Sequence, residues 1–121
     1  MYLAAVPFSN TASASVIDHV GAKIVLVDTA PNSYEMDLNK LEEAITEDTK
    51  AIIAVDLAGV ICNYDEIFKL VERKKEAFKA SNEIQEKLGR VAVIADGAHS
   101  FGAKQKGRMS GNIADFTSFS F

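Results

Sequence analysis

The sequence has little of what an extracellular, membrane or nucleic-acid protein needs. It holds one cysteine, Cys62, in 121 residues. A single thiol excludes an internal disulfide and any multi-cysteine metal site. His19 and His99 show no HExxH-type spacing, so no metal site is expected. Flanked by Val60 and Ile61, Cys62 reads as a small buried hydrophobe, and a chain with one reduced thiol points to the cytoplasm. Apolar runs such as Val91 to Ala95 fall far short of the roughly 20 residues that span a bilayer. The first residues carry no basic stretch ahead of an apolar one, so no secretory leader is expected. Nor is there an excess of positive charge. The 13 Lys and Arg are interleaved with 17 Asp and Glu for a net charge of −4, which argues against a nucleic-acid or anionic-membrane partner. Two prolines leave little scope for a hinge between domains.

What is present has the balance of an ordinary globular domain, 48% hydrophobic and 25% charged. Three apolar runs recur: Ile24–Val27, Ala51–Val55 and Val91–Ala95. They are rich in β-branched residues and lack polar alternation, so they are expected to be strands buried on both faces of a parallel sheet. Between the first two, Leu38, Leu41, Ala44 and Ile45 recur at helical spacing behind a capping Asp37. Between the second and third, Ile67, Leu70, Val71, Ala77 and Phe78 predict one longer amphipathic helix, with Lys69, Arg73, Lys74, Lys75 and Lys79 on a solvated face shared with glutamates. Residues 80–90 lengthen this crossover with an extra helical turn. Ser9 or Asn10 is expected to cap a helix from Thr11 to His19, Lys104 to Arg108 to form an exposed turn, and residues 114–121 to form a fourth strand. The alternation means right-handed βαβ crossovers and an α/β fold, a mostly parallel sheet with flanking helices. Both ends read as cut, because Phe121 closes a strand pattern with no covering helix after it.

The chemistry is expected at the strand ends, where open α/β sheets bind ligands. Each apolar run is followed by an aspartate, Asp28, Asp56 or Asp96. For Asp28 and Asp56 the expected role is to open a loop and cap the next helix. Asp96 differs because Gly97-Ala98-His99-Ser100-Phe101-Gly102 follows it. Small residues there let a bulky ligand lie against the backbone with a histidine within reach. One role open to such a carboxylate, among several, is to hold the proton on the ring nitrogen of pyridoxal phosphate. His99 could donate a hydrogen bond nearby or be satisfied by a carbonyl. Ser118 and Ser120, or Ser9, Thr11, Ser13 and Ser15, could meet a phosphate.

In this order and spacing the segments resemble the DegT/DnrJ/EryC1/StrS sugar-aminotransferase family, of the aspartate-aminotransferase fold type I. The likeness runs along the chain: Val6-Pro7-Phe8-Ser9 with Ala12-Ser13-Ala14, then Gly21 to Asp28, Leu41 to Ile53, and Gly59, Asp65 and Ile67. Its sharpest part is Ala95-Asp96-Gly97-Ala98-His99-Ser100-Phe101-Gly102-Ala103, followed by Asp115 to Phe121. Asn10, in place of an aromatic residue, and Asp56, in place of a histidine, depart from the family pattern, and residues 74–89 are longer than usual.

The resemblance implies pyridoxal 5′-phosphate as cofactor, with Asp96 at the pyridinium nitrogen, His99 beside the ring and Ser120 at the phosphate. It implies a Schiff-base lysine just beyond Phe121, so no catalytic residue lies within the chain. Residues 1–121 would be part of the large cofactor-binding domain, with its N-terminal part and the C-terminal small domain absent. The parent enzyme would be a homodimer moving an amino group from an amino acid, glutamate by family habit, to a keto sugar nucleotide, and the chain alone would be inactive. A sugar dehydratase of the same fold type and a non-catalytic α/β binding module remain alternatives.

Overall fold

Strands without polar alternation are expected to be covered on both faces, and in this chain helices cover the central ones. The computed structural model describes the backbone of residues 2–5 and all of residues 11–121. The capping expected of Ser9 or Asn10, the phosphate contact open to Ser9 and the departure at Asn10 lie outside the described residues. In chain order the elements are β1 (Tyr2–Ala5), α1 (Thr11–His19), β2 (Lys23–Leu26), α2 (Leu38–Ala44), β3 (Thr49–Val55), α3 (Tyr64–Arg73), α4 (Glu83–Leu88), β4 (Ala92–Asp96), β5 (Lys104–Gln105), β6 (Arg108–Met109) and β7 (Phe116–Ser118). Five strands form one sheet in the order β2-β1-β3-β4-β7, every neighbouring pair parallel. This is the α/β architecture that the sequence predicts.

The two faces are packed by different helices. Ile52, Ala54, Val93 and Ala95 meet Leu41 of α2 and Ile67, Leu70 and Val71 of α3 in the larger core. Ala51 and Ile53, one residue out of phase, face Ile17 of α1 in a smaller one. Each fully buried Leu or Ile side chain contributes about 2 kcal/mol. Asp37 caps α2 as expected, its Oδ1 accepting from the Asn39 and Lys40 N–H groups at 2.9 and 3.2 Å. Asn63 and Asn82 cap α3 and α4 in the same manner.

Two expectations need correction, and two features are added to the sequence reading. Residues 2–5 form a strand, β1, which sits between β2 and β3. β2 is not buried on both faces, because it is an edge strand and Leu26 is 64% exposed. The long helix ends at Arg73. The Lys74 N–H turns back to the Leu70 and Glu72 carbonyls, and a separate 3-10 turn over Lys75–Ala77 follows. Phe78 still meets the core, but from extended backbone, with the Lys50 ammonium 5.2 Å from its ring centre. The exposed turn at Lys104 to Arg108 is the tip of the small antiparallel hairpin β5–β6. Lys106 and Gly107 both take positive φ there, as a tight hairpin turn requires.

Candidate functional site

In-register parallel strands line up residues that share a face. The row Leu26, Ile53, Ile94, Phe116 runs across the side covered by α1. Two residues further toward the carboxyl ends, Val55, Asp96 and Ser118 form the next row on that face. Asp96 therefore leaves the sheet where the strands stop and α1 begins to overhang. The Ser13 hydroxyl of α1, 83 residues earlier in the chain, donates to Asp96 Oδ2 at 2.8 Å. The Ala98 N–H donates to Oδ1 at 3.2 Å. Both carboxylate oxygens are thus fixed by neutral donors, and among the described residues no ion pair reaches them.

The loop after Asp96 is tight. The Ser100 N–H closes on the Gly97 carbonyl at 3.0 Å. A Cβ at Gly97 would lie 3.0 Å from the Phe119 ring and 3.1 Å from Ser100 Oγ, so only glycine fits without displacement. His99 Nδ1 accepts from the Ala58 N–H at 3.3 Å. A neutral imidazole with Nδ1 as acceptor carries its proton on Nε2.

Asp96, His99 and Ser120, the three residues singled out from the sequence, line one cavity of about 740 Å³, together with Ser13, Val55 and Ser118. The other hydroxyl and carboxylate candidates separate from them. Ser15 donates back to the Thr11 carbonyl within α1 at 2.8 Å. Asp28 is exposed and paired with Lys40 at 3.1 Å, and the Lys40 hydrogen bond together with that of Thr29 N–H holds its carboxyl below the usual range. Asp28 therefore caps no helix.

Asp56 does not cap one either. One residue past Val55, it falls on the opposite face of the sheet from Asp96 and is buried to 1% exposure. Its Oδ1 accepts from the Cys62 N–H at 3.0 Å and the Tyr64 hydroxyl at 2.8 Å, and its Oδ2 from the Ser100 hydroxyl at 2.9 Å. Burial, aided by the Asp56 charge, pushes the Cys62 thiol up to about 12 and the Tyr64 hydroxyl well above its ordinary value. Cys62 is an inert packing residue as expected, its Sγ donating to the Val55 carbonyl at 3.1 Å.

Sequence reasoning did not identify Ser13 as the partner of Asp96, since a contact across 83 residues leaves no local signal. Nor did it identify the Asp56 network. Among the described residues no group of three or more His, Cys, Asp or Glu side chains is placed to hold a metal ion, and no helix is long and apolar enough to cross a membrane.

Comparison with known proteins agrees with this geometry. The sequence profile of the DegT/DnrJ/EryC1/StrS aminotransferase family matches residues 2–121. The chain is 40% identical over 114 residues to UDP-2-acetamido-2-deoxy-3-oxo-D-glucuronate aminotransferase of Pseudomonas aeruginosa, covering 94% of this chain and 28% of that protein. It is 37% identical over 110 residues to GDP-perosamine synthase of Caulobacter vibrioides, covering 91% of this chain and 26% of that protein. A solved Streptococcus pneumoniae structure named as a sugar aminotransferase, in its PLP form, superposes with a TM-score of 0.97 at 49% identity, over 99% of this chain and 31% of that one. The chain therefore spans less than a third of the length of these relatives.

Proposed function

Because the chain belongs to the DegT/DnrJ/EryC1/StrS aminotransferase family, we propose that it is part of the large cofactor-binding domain of a pyridoxal 5′-phosphate-dependent sugar aminotransferase. That enzyme would transfer an amino group from an amino acid such as glutamate to a keto sugar nucleotide, as a cytoplasmic homodimer. The observation that carries this reading is Asp96, a carboxylate fixed by Ser13 and Ala98, unpaired with any cation among the described residues, and open to a cavity.

The residues present fit the ring end of the cofactor. The cavity volume falls within the roughly 300–1,000 Å³ of small-ligand sites. A carboxylate held by neutral donors keeps its capacity for one charge-assisted bond to a protonated ring nitrogen. Ser120 lines the same cavity and offers a hydroxyl toward a phosphate, while His99, with Nδ1 occupied, can donate only from Nε2. When bound, pyridoxal 5′-phosphate supplies an electron sink for the substrate carbanion. The part of the protein is to hold the ring-nitrogen proton at Asp96 and to fix the ring's place with His99.

A segment exchange tests the reading. Residues 2–121 would replace the matching segment of the Caulobacter vibrioides GDP-perosamine synthase, and formation of GDP-perosamine would be assayed. Retained activity that disappears with Asp96→Asn is expected. An exchanged protein that folds and forms GDP-perosamine equally fast with Asp96→Asn would rule out the role of Asp96.

A further inference from the structure

We propose that Asp56 is a positioning residue for the Asp96–His99 site, holding with its two carboxylate oxygens the two loops that meet at the His99 imidazole. The placing of this role at a cofactor site rests on the function proposed above; the loop geometry does not.

The donor loop follows β3. Asp56 Oδ1 accepts from the Cys62 N–H at 3.0 Å, which ties the base of the segment Leu57–Ile61. At the tip of that segment Ala58 takes left-handed backbone angles, φ 53° and ψ 29°. A non-glycine residue in this region is strained by roughly 1 kcal/mol or more. Such a conformation persists only where its surroundings hold it, and here it aims the Ala58 N–H at His99 Nδ1. Gly59 continues the turn at φ +81°, with the His99 carbonyl 3.4 Å from where its Cβ would stand.

The acceptor loop follows β4. Asp56 Oδ2 accepts from the Ser100 hydroxyl at 2.9 Å, and Ser100 Oγ lies 2.7 Å from Ser110 Oγ. The Asp56 backbone N–H meanwhile donates to the Asp96 carbonyl at 3.0 Å. The loop carrying His99 is therefore bound to Asp56 at both of its ends. Tyr64, the first residue of α3, fixes the carboxylate from the third side at 2.8 Å. Removing any one of these side-chain bonds leaves Asp56 buried, but of the bonds to its carboxylate only the Ser100 bond reaches the His99 loop.

That asymmetry provides the test. Ser100→Ala and Tyr64→Phe each delete one hydroxyl donor to Asp56, and each lowers the melting temperature. Two-dimensional NMR of the 15N-labelled chain then reports the imidazole tautomer and the hydrogen exchange of the Ala58 amide. In the unmodified chain His99 is expected as the Nε2–H tautomer with a protected Ala58 amide; an Nδ1–H tautomer overturns the proposal without any variant. Ser100→Ala is expected to speed Ala58 exchange at least tenfold, whereas Tyr64→Phe leaves it within twofold. Equal acceleration in the two variants, or none in Ser100→Ala, also overturns it. Cofactor affinity of the exchanged synthase is measured alongside, with a tenfold loss expected for Ser100→Ala alone. If the unmodified exchanged protein binds no cofactor, the functional reading fails while the exchange data still decide the positioning role.

Discussion

The two ends of the central strands use charge in opposite ways. At the amino end of β4, Arg90 and Asp115 form a bidentate pair at 2.7 and 2.8 Å, and the Val93 N–H adds a third bond to Asp115 at 2.8 Å. The Arg90 guanidinium also lies 5.1 Å from the Phe68 ring centre. Nearby, at the start of β3, the buried Lys50 ammonium donates to the Glu47 and Lys79 carbonyls. At the carboxyl end, Asp56 and Asp96 accept only from hydroxyls and backbone N–H groups among the described residues. At the amino end Arg90 and Asp115 neutralise each other within the chain. At the carboxyl end Asp96 meets no cation among the described residues, the arrangement that the proposed cofactor role requires.

The sharpest way to break this contrast is Asp96→Asn in the exchanged synthase. Turnover is expected to fall about a thousandfold, equivalent to about 4 kcal/mol, with stability changed by less than about 1 kcal/mol in urea denaturation. Asp115→Ala should do the reverse. It strands a largely buried guanidinium and is expected to destabilise by about 2 kcal/mol while leaving turnover per folded molecule unchanged.

A pH titration sharpens the same point with a smaller effect. Burial alone would raise the Asp115 carboxyl, but the Arg90 hydrogen bonds and the Val93 N–H outweigh it and hold it below the usual range. A depressed folded value means its stabilisation is complete above the unfolded value of about 4 and is lost as pH falls through the lower folded one. Acid denaturation below about pH 4 should thus begin later in the unmodified chain than in Asp115→Asn, as followed by circular dichroism. The smallest expected effect concerns Cys62. With its thiol pushed up to about 12, it should react with a disulfide reagent at pH 8 only as fast as the chain unfolds.

Much of this was legible in the sequence, for identifiable reasons. β3 and β4 announce themselves because both their faces are covered, and Asp37 because a cap acts on its own next turn. Asp96 and His99 could be named because glycine and alanine around them mark a close backbone approach, and Ser120 because it lies at a strand end in an order of motifs that resembles a known family. β1 was hidden because Tyr2–Ala5 holds no β-branched residue, unlike the equally short β2 with Ile24 and Val25. The end of α3 was hidden because Ala77 and Phe78 continue the apolar period after the backbone has left the helix. Most instructive is the contrast between Asp56, expected to open a loop and cap a helix but buried as a threefold acceptor, and Asp96, expected at the ligand site. They differ in parity: Val55 aligns with Asp96, so Asp56 must point the other way. That distinction requires the register, which only the paired strands reveal.

The place of β1 also bears on how the protein acquires its shape. Strand β1 pairs with both β2 and β3, so a segment made before either of them becomes an inner rail that they must find. Parallel pairing of this kind closes long loops before any contact rewards them, and it slows folding. The Ser13–Asp96 bond, spanning 83 residues, can form only after β4 has docked. A nascent chain that has not yet reached residue 92 thus presents Ser13 without its carboxylate partner, and the carboxyl end of the sheet is assembled late.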